Sequence, residues 1–212
     1  MKRIKVIIWD HNRELMAERA AVAYKDAEAS KYIWGTGFHW YGSDSFDSVQ
    51  IVHDAWPDKK LVFTEGCQEG GPHIGSWDLG ERYAHSIIND LNRWTVCWVD
   101  LNMLLDETGG PNHVNNFCSA PIIADTRNDR LIFQSSYYYL GHFSRFIRPG
   151  AERIHCASTR DDLEATAFCN PDGTIATVIL NRTDTERVFI LKNGQHTTTC
   201  SMPAHSIATY IT

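Results

Sequence analysis

The sequence predicts an α/β fold in which a parallel sheet is followed by an antiparallel, all-β segment. Three observations carry this expectation. Short, nearly continuous apolar runs alternate with helix-patterned stretches through the first two thirds of the chain, as buried parallel strands and their crossover helices do. From about residue 151 the pattern changes to short alternating runs separated by turn residues. With 212 residues, 43% of them hydrophobic, and seven Trp, the chain has apolar surface enough for a substantial core.

The runs KVIIW (5–9), GTGFHWY (35–41), KLVFTE (60–65) and TVCWVDL (95–101) are rich in β-branched and aromatic residues and read as four parallel strands. Between them, RELMAERAAVAYKDAEASKYI reads as helix with apolar residues on one face. SDSFDSVQIVHDAW offers Ser and Asp N-caps, and GERYAHSIINDLNRW places Tyr83, Ile87, Leu91 and Trp94 three or four apart. The order β, α, β, α, β, α, β implies right-handed crossovers. LDETGGPNHVNNFCSAPI is a loop longer than a connection requires, which points to a task. SSYYYLGHFSRFI (135–147) reads as an amphipathic helix closed by Pro149 and Gly150. DLEATAFC, TIATVILN, ERVFILK and HSIATYIT then form a hairpin array, with NPDG turning between the first two.

A formal net charge of −6 without any run of Lys or Arg argues against nucleic acid and anionic lipid, and for a neutral or small-molecule partner. No stretch approaches the roughly 20 apolar residues of a membrane span, and MKRIKVIIWDHN breaks off at Trp9, Asp10 and His11, too soon for a secretory apolar core. The chain is expected to be soluble, and cytoplasmic by default unless a preceding segment carries a signal. Cys67, Cys97, Cys118, Cys156, Cys169 and Cys200 are scattered without a C-x-x-C; three disulfides are permitted, but reduced, mostly buried thiols are expected. His39, His73, His85 and His113 show no spacing that demands a metal, so neither metal nor cofactor is expected.

In a parallel sheet flanked by helices, catalytic side chains gather where strands end, because rigid strands hold them while loops shape the pocket. Glu65 ends its strand. Asp10, His11 and Asn12 follow the first strand, His39 and Tyr41 end the second, and Asp100 and Asn102 follow the fourth. Four strands finishing in polar or aromatic residues point to one shared site on one face. Trp9, Trp40, Trp77 and Trp98 stand beside them, whereas Trp56 and Trp94 are expected to pack in the core. Indole faces next to carboxylates and amides suit a sugar, whose C–H faces stack on rings while its hydroxyls take polar partners.

WDHNRE, FHWY, the FTEGC strand end, SWDLGERYAHSIINDLNRW, WVDLN, GGPNHVNNFCSAPI and SSYYYLGHFSRFIRPGA resemble, in order and spacing, successive segments of glycoside hydrolase family 30, in particular its glucosylceramidase-like branch. The resemblance implies a (β/α)8 TIM barrel with an attached β-sandwich, and retaining β-glycosidase activity without a cofactor. It implies that residues 1–147 are the C-terminal half of the barrel (strands five to eight) and that residues 148–212 are an antiparallel β-sandwich segment. Glu65 matches the catalytic nucleophile. Asn12, Tyr41, Trp98, Asn116 and Phe117 match substrate-pocket positions, and His39, Asp100 and Asn112 match supporting ones. These residues are expected to converge, with the loop bearing Asn112, Asn116 and Phe117 folded over Glu65.

The family's acid/base is a Glu following Asn, and no Asn-Glu pair occurs in this sequence. Glu69 is a weak substitute. About 150 residues precede the β segment, whereas a whole barrel takes about 250, so an N-terminal half is expected elsewhere. Two readings follow: a glycosidase portion acting on a β-glucoside or glycolipid (glucosylceramide, simple β-glucosides or β-1,6-glucan), or a non-catalytic carbohydrate-binding or structural remnant. Either leaves open strand edges, so partnership with an N-terminal barrel half or self-association is expected.

Overall fold

The computed structural model describes residues 4–212; the first three residues of the expected 1–147 domain lie outside the described residues. Two compact units are present: the chain up to Glu69 together with Asn89–Met103, and Gly70–Ile88 together with Leu104–Thr212.

In the first unit, β1 (Val6–Asn12), β2 (Ile33–His39), β3 (Lys60–Glu65) and β4 (Thr95–Trp98) lie side by side in that order, each neighbouring pair parallel. The four expected strands are thus adjacent in one sheet. Two end earlier than expected: β2 stops at His39, because the next ladder position is taken up when the Asn12 side chain accepts from the Tyr41 N–H at 3.1 Å, and β4 stops at Trp98. The first helical stretch is not continuous. It divides into a 3-10 turn (Arg13–Leu15), α1 (Met16–Tyr24) and α2 (Ala27–Ser30). Asp26 causes the restart, its carboxylate accepting from the N–H groups of Glu28 and Ala29 as an N-cap. Helix α1 buries Met16, Ala20 and Tyr24, one per turn, and α3 (Phe46–Ala55) buries Val49 and Val52.

Continuous hydrophobicity implies cover on both faces, and the central strands β2 and β3 follow that expectation. The outer strands do not: Val6 in β1 is 43% exposed and Val96 in β4 is 55% exposed. Beneath the sheet's polar end lies an aromatic cluster in which Phe63 stacks flat on Trp98 at 4.1 Å and meets Phe38 and Trp40 edge-on. Arg13 is fully buried against it, with its guanidinium 4.7 Å from the Phe46 ring centroid and 5.3 Å from that of Phe63. Its charge is met by the equally buried Asp90, at 3.1 Å through Nε and 2.5 Å through Nη2, and the Trp98 indole N–H donates to the same carboxylate. Two Trp expectations are corrected here. Trp40 is core, 4% exposed. Trp94 is 46% exposed, because it follows helix α4 (Asp78–Asn92) in the left-handed region (φ 70°) and lies flat on His53 instead of continuing the helix face.

In the second unit, β5 (Leu104–Asp106), β6 (Ile122–Asp125) and β7 (Arg130–Phe133) form a three-stranded sheet that the sequence reading did not anticipate. Runs of three or four residues carry too little periodicity to stand out; the β6–β7 turn is held by Asp125, which accepts from Asn128 and Arg130. Helix α5 spans Ser135–Ser144, a turn shorter than expected. Beyond it, β8 (Glu152–Ile154), β9 (Leu163–Cys169), β10 (Ile175–Asn181) and β13 (Ser206–Ile211) form an antiparallel sheet in the order β13-β10-β9-β8. The hairpin β11 (Arg187–Asn193) and β12 (His196–Met202) is a separate ladder. Leu163, Ile179 and Met202 form the core between them, joined by Phe189, Leu191 and Tyr210. A groove of about 590 Å³ remains beside that core, lined by Ile154, Ala165, Phe189 and Leu191 among others. All six cysteines are free thiols, but only Cys67 and Cys118 are buried, and Cys97 is exposed on β4.

His205 ties this unit together. Its backbone is left-handed (φ 51°), its carbonyl accepts from the Trp77 indole at 2.7 Å, and its two ring nitrogens face Glu81 and Asp184, each at 2.9 Å. Both nitrogens can donate only in the imidazolium, so Asp184 and then Glu81 raise the His205 pKa. A raised folded-state value gives stability that is complete below the unfolded histidine's pKa and is lost as pH rises through the folded one. The melting temperature of the native chain should therefore fall relative to that of His205→Gln as pH is raised from about 6. Parallel curves for the two proteins would contradict this. The comparison is needed because His142, whose pKa is lowered by burial, acts in the opposite sense.

Candidate active site

The ends of β1, β2 and β3 are in lateral register: Asn12 pairs with His39, and His39 with Glu65. Side chains from three neighbouring strands are therefore delivered to one rim by backbone pairing alone. Glu65, half-buried, is the last residue of β3. Tyr41, two residues beyond β2, donates its hydroxyl to Glu65 Oε1 at 3.2 Å and lies 3.6 Å from Cys67 Sγ. Burial raises the Tyr41 pKa, and Cys67 and Glu65 add to the effect, so the phenol stays protonated as a donor. Asn12 fixes the Tyr41 backbone, and the Trp40 indole donates to the Cys67 carbonyl at 3.1 Å. Gly66 follows Glu65 because space requires it: a Cβ there would stand 2.6 Å from the Phe63 ring and 2.9 Å from Trp40.

At the end of β1 a register shift between Trp9 and His11 leaves Asp10 as the extra residue of a bulge. Trp9 (φ 74°) and Asp10 (φ 55°) are both left-handed, which costs about 1–2 kcal/mol for each non-glycine residue. Asp10 Oδ1 accepts from Thr64 Oγ1 at 2.7 Å and faces His39 Nε2 at 3.0 Å. The Thr64 bond, joined by His39, holds the Asp10 carboxyl below its ordinary pKa against the opposing effect of burial. His39 itself is buried, stacked toward His11 and edge-on to Tyr41 with 6.0 Å between ring centroids.

Of the residues expected at the site, Asn12, His39, Tyr41 and Glu65 are thus brought together within the first unit. Trp98 lies beneath them through Phe63 and Trp40, half-buried, with its indole N–H engaged by Asp90. Asp100, beyond the end of β4, accepts from the Leu101 N–H at 3.1 Å, and the same N–H is shared with the Gly66 carbonyl at 2.9 Å. Asn112, Asn116 and Phe117 belong to the second unit. There the Asn112 side chain accepts from the N–H groups of Val114 and Asn116, and the Phe117 carbonyl accepts from the Gly71 N–H, so the loop is ordered by its own hydrogen bonds. Cys67 and Thr64 were not singled out from sequence. Their position one or two residues from Glu65 is the only sequence signal that could have drawn attention to them.

Residues 1–147 match the glycosyl hydrolase family 30 TIM-barrel domain, and residues 150–210 match the glycosyl hydrolase family 30 beta sandwich domain. The chain is 36% identical to the lysosomal acid glucosylceramidase of Mus musculus over 98% of its own length and 42% of that protein's. Among solved structures, SrfJ from Salmonella typhimurium superposes with a TM-score of 0.94 at 36% identity, over 98% of this chain and 47% of that one. The endo-beta1,6-glucanase BT3312 superposes with a TM-score of 0.83 at 28% identity, over 98% of this chain and 48% of that one. The chain therefore spans less than half the length of these relatives.

Proposed function

The chain belongs to glycosyl hydrolase family 30, and from that premise we propose that it supplies the nucleophile half of a retaining β-glycosidase. The observation that carries this reading is the Tyr41 hydroxyl donating to Glu65 at 3.2 Å on a rim where Asn12, His39 and Glu65 stand in register. Double displacement needs an ionised carboxylate to attack the anomeric carbon and a protonated one about 5–5.5 Å away to protonate the leaving oxygen. Glu65 takes the first role, held by Tyr41. Asn12 and Trp98 line the sugar's site, and His39 and Asp100 support it. The second carboxylate follows an Asn in the remaining half of the barrel, on this polypeptide or on another. In this reading residues 1–147 are barrel strands five to eight and residues 148–212 are sandwich. The exposed apolar residues Ile4, Val6 and Ile7 of the β1 side and Val96 and Val99 of the β4 side suit partnership with that half, or self-association in its absence.

The substrate class is a β-glucosidic bond. The names of the relatives, a glucosylceramidase and an endo-β1,6-glucanase, bracket the choice between a glycolipid and a glucan. The test is hydrolysis of a plain alkyl β-glucoside, glucosylceramide and a β-1,6-glucan by the chain alone and by the chain with an N-terminal barrel half bearing Asn-Glu. Turnover is expected only in the complemented pair. Efficient hydrolysis by the chain alone would overturn the missing-acid argument and turn attention to Glu69. A well-folded pair inert on every β-glucoside would favour the binding remnant.

A further inference from the structure

We propose that Asp10 is a positioning residue of this site, clamping His39 and Thr64 through one carboxylate oxygen so that Tyr41 and Glu65 are held in their mutual geometry. The inference rests on the reading of Glu65 as nucleophile. Three adjacent strands meet at Asp10 Oδ1: β1 provides the carboxylate, β2 the His39 Nε2 at 3.0 Å, and β3 the Thr64 Oγ1 at 2.7 Å. Facing a carboxylate, His39 Nε2 carries the ring proton, which fixes both the tautomer and the ring plane. That plane stands edge-on to Tyr41 at 86° and thereby sets the direction from which the Tyr41 hydroxyl reaches Glu65. Thr64 is the residue directly before Glu65, so the same oxygen also anchors the backbone that presents the nucleophile.

Two features set this carboxylate apart from an ordinary surface aspartate. It stands on a bulge where two residues, Trp9 and Asp10, are left-handed without being glycine; backbone strain of this kind persists only where the surrounding structure over-determines it, and it clusters at functional sites. And its side chain is 66% exposed, so its bonds are screened and add little to stability. A group that contributes little to the fold, yet sits on a strained backbone with both acceptor bonds aimed into the site, is placed for orientation.

The experiment uses the 212-residue chain and three variants, Asp10→Ala, Asp10→Asn and Asp10→Glu. One readout is the His39 Nε2–H resonance in 15N-edited NMR, assigned with His39→Gln. The other is covalent labelling of Glu65 by 2-deoxy-2-fluoro-β-glucosyl fluoride, followed by mass: the carboxylate oxygen bonds to the anomeric carbon as its bond to fluorine breaks, and fluoride leaves with the electron pair. Asp10→Ala is expected to lose the protected His39 resonance and to slow labelling by about tenfold or more with an unchanged melting temperature. Asp10→Asn, whose amide oxygen still accepts from Thr64 and His39, should retain most of both. Asp10→Glu should lose them, since the added methylene displaces the oxygen. A native His39 resonance and native labelling rate in Asp10→Ala would overturn the proposal, as would slowing matched by a fall in melting temperature. If the unaltered chain takes no label on Glu65, the preceding reading fails, and the His39 resonance alone then decides for or against the Asp10 clamp.

Discussion

Glu65→Gln in the complemented pair is expected to lower turnover of a β-glucoside by about four orders of magnitude or more. The substitution changes little else. Gln keeps the shape of the side chain and an oxygen that can accept from Tyr41, so the 3.2 Å contact, the Phe63 packing behind Gly66 and the melting temperature should all persist. What is lost is the anion. An amide oxygen does not displace a leaving group at the anomeric carbon, and no glycosyl-enzyme can form. An activated aryl glycoside separates the two halves of the chemistry. Its leaving group needs little protonation, so the chain by itself should still be glycosylated by it, and Glu65→Gln should stop even that. The measurement is steady-state turnover of the plain substrate, with intact mass after incubation with the activated one. A pair that kept its turnover with Gln at position 65 would remove this residue from the mechanism.

Arg13→Met is expected to destabilise the first unit by about 3–5 kcal/mol. Met replaces most of the side chain's volume among Phe38, Phe46 and Phe63, so the loss is mainly electrostatic. Burial is the largest influence on Asp90 and pushes its carboxyl pKa up, opposed by Arg13 and by the Trp98 indole. Without Arg13 the carboxyl takes up a proton in the folded state more readily than in the unfolded one, so stability falls as pH rises and the deficit shrinks in acid. Replacing both partners, Arg13→Met with Asp90→Leu, should recover much of the loss, because the main penalty is an uncompensated buried charge. Urea unfolding at two pH values checks all three statements. An Arg13→Met protein as stable as the native one would show the pair to be dispensable.

Much of this was legible in sequence, for reasons that can be named. The parallel strands announced themselves because buried strands carry few polar residues: the buried stretch of β3, Leu61–Phe63, is wholly apolar, and its polar residues stand at its ends, Lys60 at one and Thr64 and Glu65 at the other. Register then did the rest, since pairing of β1, β2 and β3 aligns Asn12, His39 and Glu65 without any further specification. Other features depend on facts that residue patterns do not carry. Trp40 and Trp98 are alike as letters, yet one is core and the other half-buried: Trp40 follows the central strand β2, whereas Trp98 ends the outer strand β4. Trp94 left the core by a single left-handed dihedral angle. Asp10 was visible as a polar residue at a strand end, but its bulge was not. Arg13 opens a stretch that reads as helix, and nothing local to it could reveal a carboxylate far along the chain.

That distance bears on the order in which the fold assembles. Arg13 and Asp90 are 77 residues apart, with β2, α3 and β3 between them. Closing so long a segment is entropically costly before the intervening strands have paired, and two charges cannot be stripped of water until both are surrounded. The pair is therefore expected to be a late contact, made after the rate-limiting step of folding and broken before that step in reverse, with Arg13→Met accelerating unfolding in urea while leaving refolding almost unchanged; slowed refolding would contradict this. A contact of this kind slows escape from the native state while leaving the rate of reaching it almost unchanged, so the lifetime of the folded unit rests on it more heavily than the speed of its formation does.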